Sequence, residues 1–318
     1  MASTKSSSIG WVDEELKDLL EPDGLFRKAL YVADDRNAPL HPTRNKGNEA
    51  NIYLSYIIDH YDNLADVSIF VHPDRWAWHN NELMDNDLAG MIRYLKPETV
   101  VRDGYMNLRC HWVPGCPDWL FLHQDTAENI QKNERKQISE RWSELFPLDE
   151  MPQVLSQPCC AQFAVSRDRI LAIPKQRYVY LRTWILRTPL QDYHSGRVFE
   201  YLWQYIFTGN GVVCPTMHTC YCEGFGICFD GEEQFDKWFE LRYQKAEMES
   251  RMRKLRGKPG QEVAKSDKSD KASHKALVEL GKDASVDDMQ AAVTALKSEM
   301  QRLRDEAFLR GRPVHHYY

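Results

Sequence analysis

Residues 45–79, NKGNEANIYLSYIIDHYDNLADVSIFVHPDRWAWH, read as a helix followed by a strand, with polar groups crowding both ends. Asn45, Lys46 and Gly47 make a turn into the helix, and Glu49 in its first turn suits the positive end of the helix dipole. Leu54, Ile57, Ile58 and Tyr61 recur at i, i+3, i+4 and i+7, so one face is apolar and turned to a core. A second stripe, Glu49, Tyr53, Tyr56 and His60, carries only polar or aromatic groups and is expected to line a pocket. Asp62 and Asn63 end the helix. Residues 67–71, VSIFV, have strand composition, and His72, Asp74, Arg75, Trp76, Trp78 and His79 come directly after them. Open α/β sheets place ligand sites at such strand ends.

The 318-residue chain is 42% hydrophobic and 11% aromatic, enough to bury one large core or two modest ones. It holds no run of about eighteen apolar residues, so no membrane span is expected. The start, MASTKSSSIGW, has no apolar leader core, and a cytoplasmic protein is expected. In that compartment the eight cysteines are expected as thiols rather than as a disulfide frame. Residues 243–318 carry 16 Lys and Arg against 12 Asp and Glu; the overall charge of −6 then leaves −10 on the remainder. An acidic body with a basic tail bears on partners, not on fold.

Residues 1–9 are expected to form a disordered tail and residues 10–245 a single α/β domain with a mixed sheet. Within it, residues 11–20 pattern as a short helix and residues 29–33 as a strand. Residues 80–95 read as a helix stopped by Pro97, residues 105–119 as irregular, and residues 127–146 as a charged helix stopped by Pro147. Residues 159–165 alternate like a strand, with Ser166 able to cap the segment after it. Residues 177–184 fit a strand or a helix start, residues 196–207 an apolar helix, and residues 214–228 a cysteine-dense loop. Residues 246–275 read as a basic helix end and linker. Residues 276–318 read as a helical extension with a heptad seam: Val286, Val293, Met300 and Ala307, alternating with Met289, Leu296 and Leu303.

Several constellations could carry chemistry. His72 and His79 offer an acid–base pair, metal ligands together with Asp74 or Asp85, or loop-holding hydrogen bonds. Asp85-Asn86-Asp87 fits the D-x-D pattern by which sugar-nucleotide transferases hold a divalent ion. Glu200 lies in an apolar helix, where a carboxylate needs a task or a partner such as Arg197 or Arg182. Cys214, Cys220, Cys222 and Cys228 give soft ligands without a standard zinc spacing, so packed or redox-active thiols are expected instead. Cys159, Cys160 and Ser166 are weaker nucleophile candidates. The basic run RMRKLRGK (Arg251, Arg253, Lys254, Arg256, Lys258) suits phosphates or a solvated helix end.

The blocks NKGNEA, YLSYIIDHYDNLAD, IFVHPDRWAWHNN, CCAQFAVSRDRI and SGRVFEYLW, then the C-x-C-E-G-F-G-x-C stretch, occur in one order over residues 11–228. In this the chain resembles a fungal family long labelled a domain of unknown function, and within it the arginine-containing cyclodipeptide synthases. The resemblance implies an enzyme that takes aminoacyl groups from arginyl-tRNA and a second charged tRNA and joins them as a diketopiperazine. It also implies similarity to glycosyltransferase A-type folds. An aminoacyl ester is already activated, so no cofactor and no metal is expected, and no nucleotide-binding P-loop pattern occurs. The reaction needs an amine-deprotonating base, an oxyanion donor and a carboxylate for the guanidinium. Glu49, His72, His79 and Glu200 are the expected catalytic residues. Asn45, Lys46, Tyr53, Tyr56, Asp59, Asp62 and Trp78 are expected to bind substrate, and Arg251, Arg253, Lys254, Arg256 and Lys258 to bind tRNA. A homodimer through the C-terminal helix is a further candidate. The competing classes are a metal-dependent glycosyltransferase-like enzyme and a non-catalytic scaffold.

Overall fold

A computed structural model describes residues 1–20, 24–124, 132–255 and 284–312. The chain divides into two units, Met1–Cys220 and Tyr221–Tyr318. The strands of the first are β1 (Ala2–Ser3), β2 (Tyr31–Val32), β3 (Val67–Phe70), β4 (Tyr105–Asn107), β5 (Leu120–Phe121), β6 (Val154–Leu155) and β7 (Phe163–Ser166). Its helices are α1 (Gly10–Glu15), α2 (Lys17–Leu20), α3 (Asn48–His60), α4 (Leu88–Tyr94), α5 (Pro97–Asp103), α6 (Asn133–Leu145), α7 (Arg167–Leu171), α8 (Lys175–Arg187), α9 (Asp192–Glu200) and α10 (Trp203–Thr208). Helix α11 (Met217–Phe225) crosses the division.

The decisive stretch forms α3 and β3 as its periodicity requires. Strand β7 pairs antiparallel with β3 on one side and β4 on the other, setting Phe70 opposite Phe163 and Tyr105 opposite Val165. β1 and β2 are parallel, and the Ala2 N–H donates to Val71 O at 3.2 Å, joining that pair to the chain just past β3. β5 and β6 form an antiparallel pair. Among the described residues the α/β class is therefore observed as three small sheets, parallel and antiparallel, instead of one mixed sheet. Tyr53 of α3 lays its ring on Phe70 (5.0 Å between centroids), Phe163 (5.7 Å) and Trp203 (6.0 Å). Tyr56 packs edge-on to Phe70 and to Tyr31. The stripe read as pocket lining is thus core at Tyr53 and partly buried against the core at Tyr56, because α3 is covered on two faces, by the aromatic layer and by α8 and α9.

Five local expectations change. Residues 1–9 are not a loose tail: Ala2 and Ser3 are buried in β1, and the Met1 amino group donates to Ala29 O at 3.0 Å. The helix expected over residues 80–95 is interrupted, because Asp85 (φ 55°) and Asn86 (φ 58°) take the left-handed conformation that Asp and Asn tolerate best after glycine. Pro97 opens α5 at its first turn, where the missing N–H costs nothing, so it starts a helix as well as ending one. The apolar helix over residues 196–207 breaks between α9 and α10, and residues 217–225 of the expected cysteine loop are helical.

The cysteines depart furthest from expectation. All eight are paired, as Cys110–Cys220, Cys116–Cys214, Cys159–Cys160 and Cys222–Cys228. The first two close loops of 110 and 98 residues, so each stabilises by roughly 4–5 kcal/mol in the chain-entropy account. They fix the stretch after β4 to residues 214–220, where Trp112 Nε1 also donates to Pro215 O at 2.6 Å. The adjacent pair Cys159–Cys160 closes no loop, so what it contributes is local.

The second unit contains α12 (Gly231–Leu255) and α13 (Val286–Arg310), packed on each other. Ser285 and Asp288 form a capping box at the start of α13. Of the heptad seam, Met289, Val293, Leu296, Leu303 and Ala307 are buried, and Trp238 Nε1 donates to Met300 O at 3.0 Å. The seam is used within the hairpin, which leaves little of it for a second copy. Residues 246–255 of the expected linker are helical, whereas residues 256–275, including Arg256 and Lys258, lie outside the described residues. Among the described residues no helix is long and apolar enough to cross a membrane.

Alkylation of the denatured, unreduced protein should leave its intact mass unchanged, and alkylation after reduction should label all eight cysteines. Labelling before reduction would contradict the pairing.

Candidate functional site

Helices α3 and α9 approach closely because residue 196 is glycine. A Cβ there would stand 2.9 Å from Asn48 Nδ2 and 3.2 Å from Gly47 O. The turn into α3 uses left-handed backbone at Gly47 (φ 76°) and Asn48 (φ 50°), and a Cβ on Gly47 would meet Ile185 Cγ2 at 2.4 Å. This contact brings Glu49, in the first turn of α3, into the field of Arg197 on α9.

Arg197 is the hub. Its Nε and Nη2 donate to Glu134 Oε1 at 2.9 and 2.7 Å, and its Nη1 donates to Glu200 Oε2 at 2.9 Å. Tyr193 and Tyr201 flank the guanidinium with ring centres 5.9 and 5.6 Å away. The other oxygen of Glu200, Oε1, accepts the Cys160 N–H at 2.9 Å, and Gln157 Nε2 donates to Glu200 O at 2.6 Å. Cys160 (φ 83°) and Ala161 (φ 49°) are both left-handed, a strain of about 1–2 kcal/mol each that the bonded sulfurs and this hydrogen bond help to hold.

Glu49 differs from its neighbours. Among the described residues its carboxylate has no ion pair and no hydrogen bond to another residue. Burial raises its carboxyl pKa, opposed by its own backbone N–H and by Arg197. The Glu200 carboxyl is raised too, first by burial and then by the charges of Glu49 and Glu134, against the pull of Arg197 and the Cys160 N–H. Glu200 thus takes Arg197, one of its two expected partners, and both its oxygens are occupied. Glu49 keeps open acceptors beside an arginine already shared by two other acids. Such an arrangement can hold a cationic group, and it favours the protonated carboxyl relative to a solvated one.

A second cluster lies beyond β3. The rings of His72 and His79 are 5.2 Å apart at 73°, and both Nε2 atoms are sealed from solvent without a hydrogen-bond partner. Burial lowers both pKa values to about 4, so the rings are neutral at physiological pH and weak as bases. Gln162 staples the loop: its Oε1 accepts the His72 N–H at 3.2 Å and its Nε2 donates to Asn80 Oδ1 at 2.9 Å. Residues 160–162 separate this cluster from Glu200. The structure joins Glu49 to Glu200 and His72 to His79, and the charges acting on each pair do not include the other pair.

The remaining expected residues scatter. Asn45 is exposed, while Lys46 is buried and donates to Thr188 O, closing α8. Asp59 accepts from Tyr31 OH at 2.8 Å, and Asp62 is a surface partner of Lys175 at the far end of α3. Tyr53 is a core residue, Tyr56 is partly buried against the core, and Trp78 is 64% exposed beneath Arg109. Asp87 takes Arg75 bidentately and caps α4, so the D-x-D reading loses a ligand. Cys214, Cys220, Cys222 and Cys228 are cystines, which removes the zinc and thiol readings, and the Cys159–Cys160 bond removes a nucleophilic thiol. Ser166 caps α7, its Oγ accepting from Arg169 N at 3.3 Å. On α12, Arg253 and Lys254 are exposed and Arg251 partly so. A surface groove lined by Phe146, Arg177 and Tyr205 holds none of the expected site residues. Glu134, Gln162 and Asn80 were not singled out from the sequence. Glu134 lies in a charged helix that reads as solvated, and only its position at the first turn of α6 distinguishes it.

Fold and site together define an α/β protein with a partly buried guanidinium–carboxylate cluster and a separate histidine pair. The chain belongs to the family described as "Protein of unknown function (DUF3431)", whose profile matches residues 1–223. Comparisons with curated proteins and with solved structures give no match.

The raised carboxyl of Glu49 has a consequence for stability. Its folded-state pKa lies above the unfolded value of about 4.3, so the folded form binds more protons and stability falls as pH rises through that window. Glu49→Gln removes this loss. Its urea midpoint should gain on the parent's between pH 4 and pH 8, and a gap that does not widen would show that Glu49 is not held out of solvent.

Proposed function

We propose that the chain is an aminoacyltransferase that joins arginine and a second amino acid, taken from charged tRNAs, into a diketopiperazine. The reaction class comes from the resemblance to arginine-containing cyclodipeptide synthases. The observation that carries the site is Glu49, a partly buried carboxylate with open acceptors in a cluster of three acids around one arginine. A cationic ligand is what such a carboxylate lacks, and a guanidinium matches it in charge and planar geometry.

In this reading Glu49 holds the arginyl side chain. The free α-amine of one aminoacyl group attacks the ester carbonyl of the other; a C–N bond forms, the ester C–O bond breaks, and the ribose hydroxyl leaves with a proton. Attack by the second amine on the first ester closes the ring and releases the second tRNA. An α-amine with a pKa of about 8 is partly neutral at working pH, so no strong base is required. Glu200, occupied by Arg197 and Cys160, positions Arg197 beside Glu49. The exposed Arg253 and Lys254 of α12 are candidates for tRNA phosphates.

The cystines favour a second reading. Four disulfides suit an oxidising compartment, whereas charged tRNA and the cytoplasmic placement expected from the sequence suit a reducing one. The wider family resemblance then points to a glycosyltransferase A-like, metal-dependent enzyme acting on an activated sugar.

Expression of the full chain in a heterologous host, with mass spectrometry of small molecules, separates the two. Arginine-containing diketopiperazines should accumulate with the parent and fall at least about a hundredfold with Glu49→Gln, the range for losing a charged contact to substrate. No such product, or undiminished product with Glu49→Gln in a folded protein, would overturn the synthase reading or its site respectively. Transfer from sugar nucleotides by the purified chain would support the second reading.

A further inference from the structure

The transfer steps proposed above make no use of the histidine pair, an unusual polar feature of the first unit. Two imidazole Nε2 atoms are sealed from solvent within one loop, and neither has a hydrogen-bond partner. Leaving a buried polar atom unpaired is costly, so two neighbouring orphans call for an occupant. We infer that His72 and His79 bind one borderline divalent cation of the zinc or cobalt(II) kind, with an anionic oxygen ligand completing its coordination. This rests on neither reading of the function.

The ring geometry suits such an ion. Two imidazoles bound through Nε2 at about 2.0–2.1 Å to a tetrahedral centre place their ring centres about 5 Å apart. The observed separation is 5.2 Å, with the planes crossed at 73°. The frame is rigid before any ion arrives. Asn80 Nδ2 donates to Arg75 O at 2.9 Å and to Asn86 O at 3.0 Å, while Gln162 holds Asn80 and His72 together. Asn81 Nδ2 donates to Leu108 O at 2.7 Å, and its Oδ1 accepts the Cys110 N–H at 2.8 Å. These bonds hold the backbone that carries both rings.

The surrounding charges settle what else the ion would take. Asp74 acts electrostatically on both rings and favours a cation between them. Arg109 acts on His79 from the other direction and lies over Trp78, 5.2 Å from its ring centre. Arg109 therefore favours a carboxylate or phosphate oxygen in the position that the two histidines leave open. Imidazole with carboxylate or phosphate oxygen is a donor set suited to zinc and cobalt(II).

The test uses the full, oxidised chain, in which no thiol competes for the metal. Cobalt(II) chloride titrated into the protein should give a saturable one-to-one isotherm and the visible absorption of a tetrahedral centre. His72→Asn and His79→Asn should each weaken binding at least about tenfold, with Asp168→Asn, on the exposed face of α7, unchanged. Because either histidine variant could misfold, the parent is also read by itself: zinc chloride should shift the ring ¹⁵N resonances of both His72 and His79. No saturable binding, binding retained in a folded double variant, or ring resonances that zinc leaves in place would each overturn the site.

Discussion

One guanidinium shared by two carboxylates holds the candidate site together. Arg197 ties Glu134 at the start of α6 to Glu200 at the end of α9, and Glu200 in turn receives the N–H of Cys160. Removing one member of such a group strands a partly buried charge at about 3–5 kcal/mol, so the helices and the residue 157–162 segment are set by one another. The cluster is nonetheless short of positive charge. Glu49, Glu134 and Glu200 surround a single arginine, and burial makes ionisation of Glu49 and Glu200 costly. A retained proton or a bound cation relieves that cost. This imbalance is what separates a site from a structural ion pair, and it underlies the proposal that Glu49 receives a cationic substrate group.

The sulfur crosslinks frame the site without touching its open carboxylate. Two long-range cystines anchor the segment after β4, and Gly115 in that segment has no room for a side chain, since a Cβ would stand 1.9 Å from Gln157 O. The Gln157 side chain accepts from Tyr105 OH at 2.6 Å and donates to Glu200 O, so the crosslinked loop, the sheet and α9 meet at one residue. The Cys159–Cys160 pair stands one hydrogen bond from Glu200. The oxidation state of this protein and the geometry of its carboxylates are therefore physically connected.

Much of this was legible in residues 45–79. The 3.6-residue spacing of Leu54, Ile57 and Ile58 fixed the buried face of α3, and the VSIF run became β3. Periodicity could not show that Tyr53 is core too and that Tyr56 packs against it, because a helix covered on two faces leaves a polar-aromatic stripe indistinguishable from a pocket wall. Glu200 was recognisable as a carboxylate in an apolar helix with Arg197 three residues away. Glu134 was not, since its partner lies 63 residues distant. The cystines were hidden for the same reason: pairing across 98 and 110 residues depends on the fold, and composition suggested thiols. Asp85-Asn86-Asp87 looked like a metal motif but serves as a left-handed turn and a helix cap, uses to which Asp and Asn are equally suited.

The charge imbalance around Arg197 is measured most directly by carboxyl ¹³C NMR titration of the full chain, with Glu49 assigned by its loss in Glu49→Gln. Glu49 should titrate above the ordinary glutamate value of about 4.3, move higher still in Arg197→Gln, where the opposing charge is gone, and fall when free arginine is added. A Glu49 that titrates at or below the ordinary value, and is indifferent to Arg197, would contradict the account at its centre.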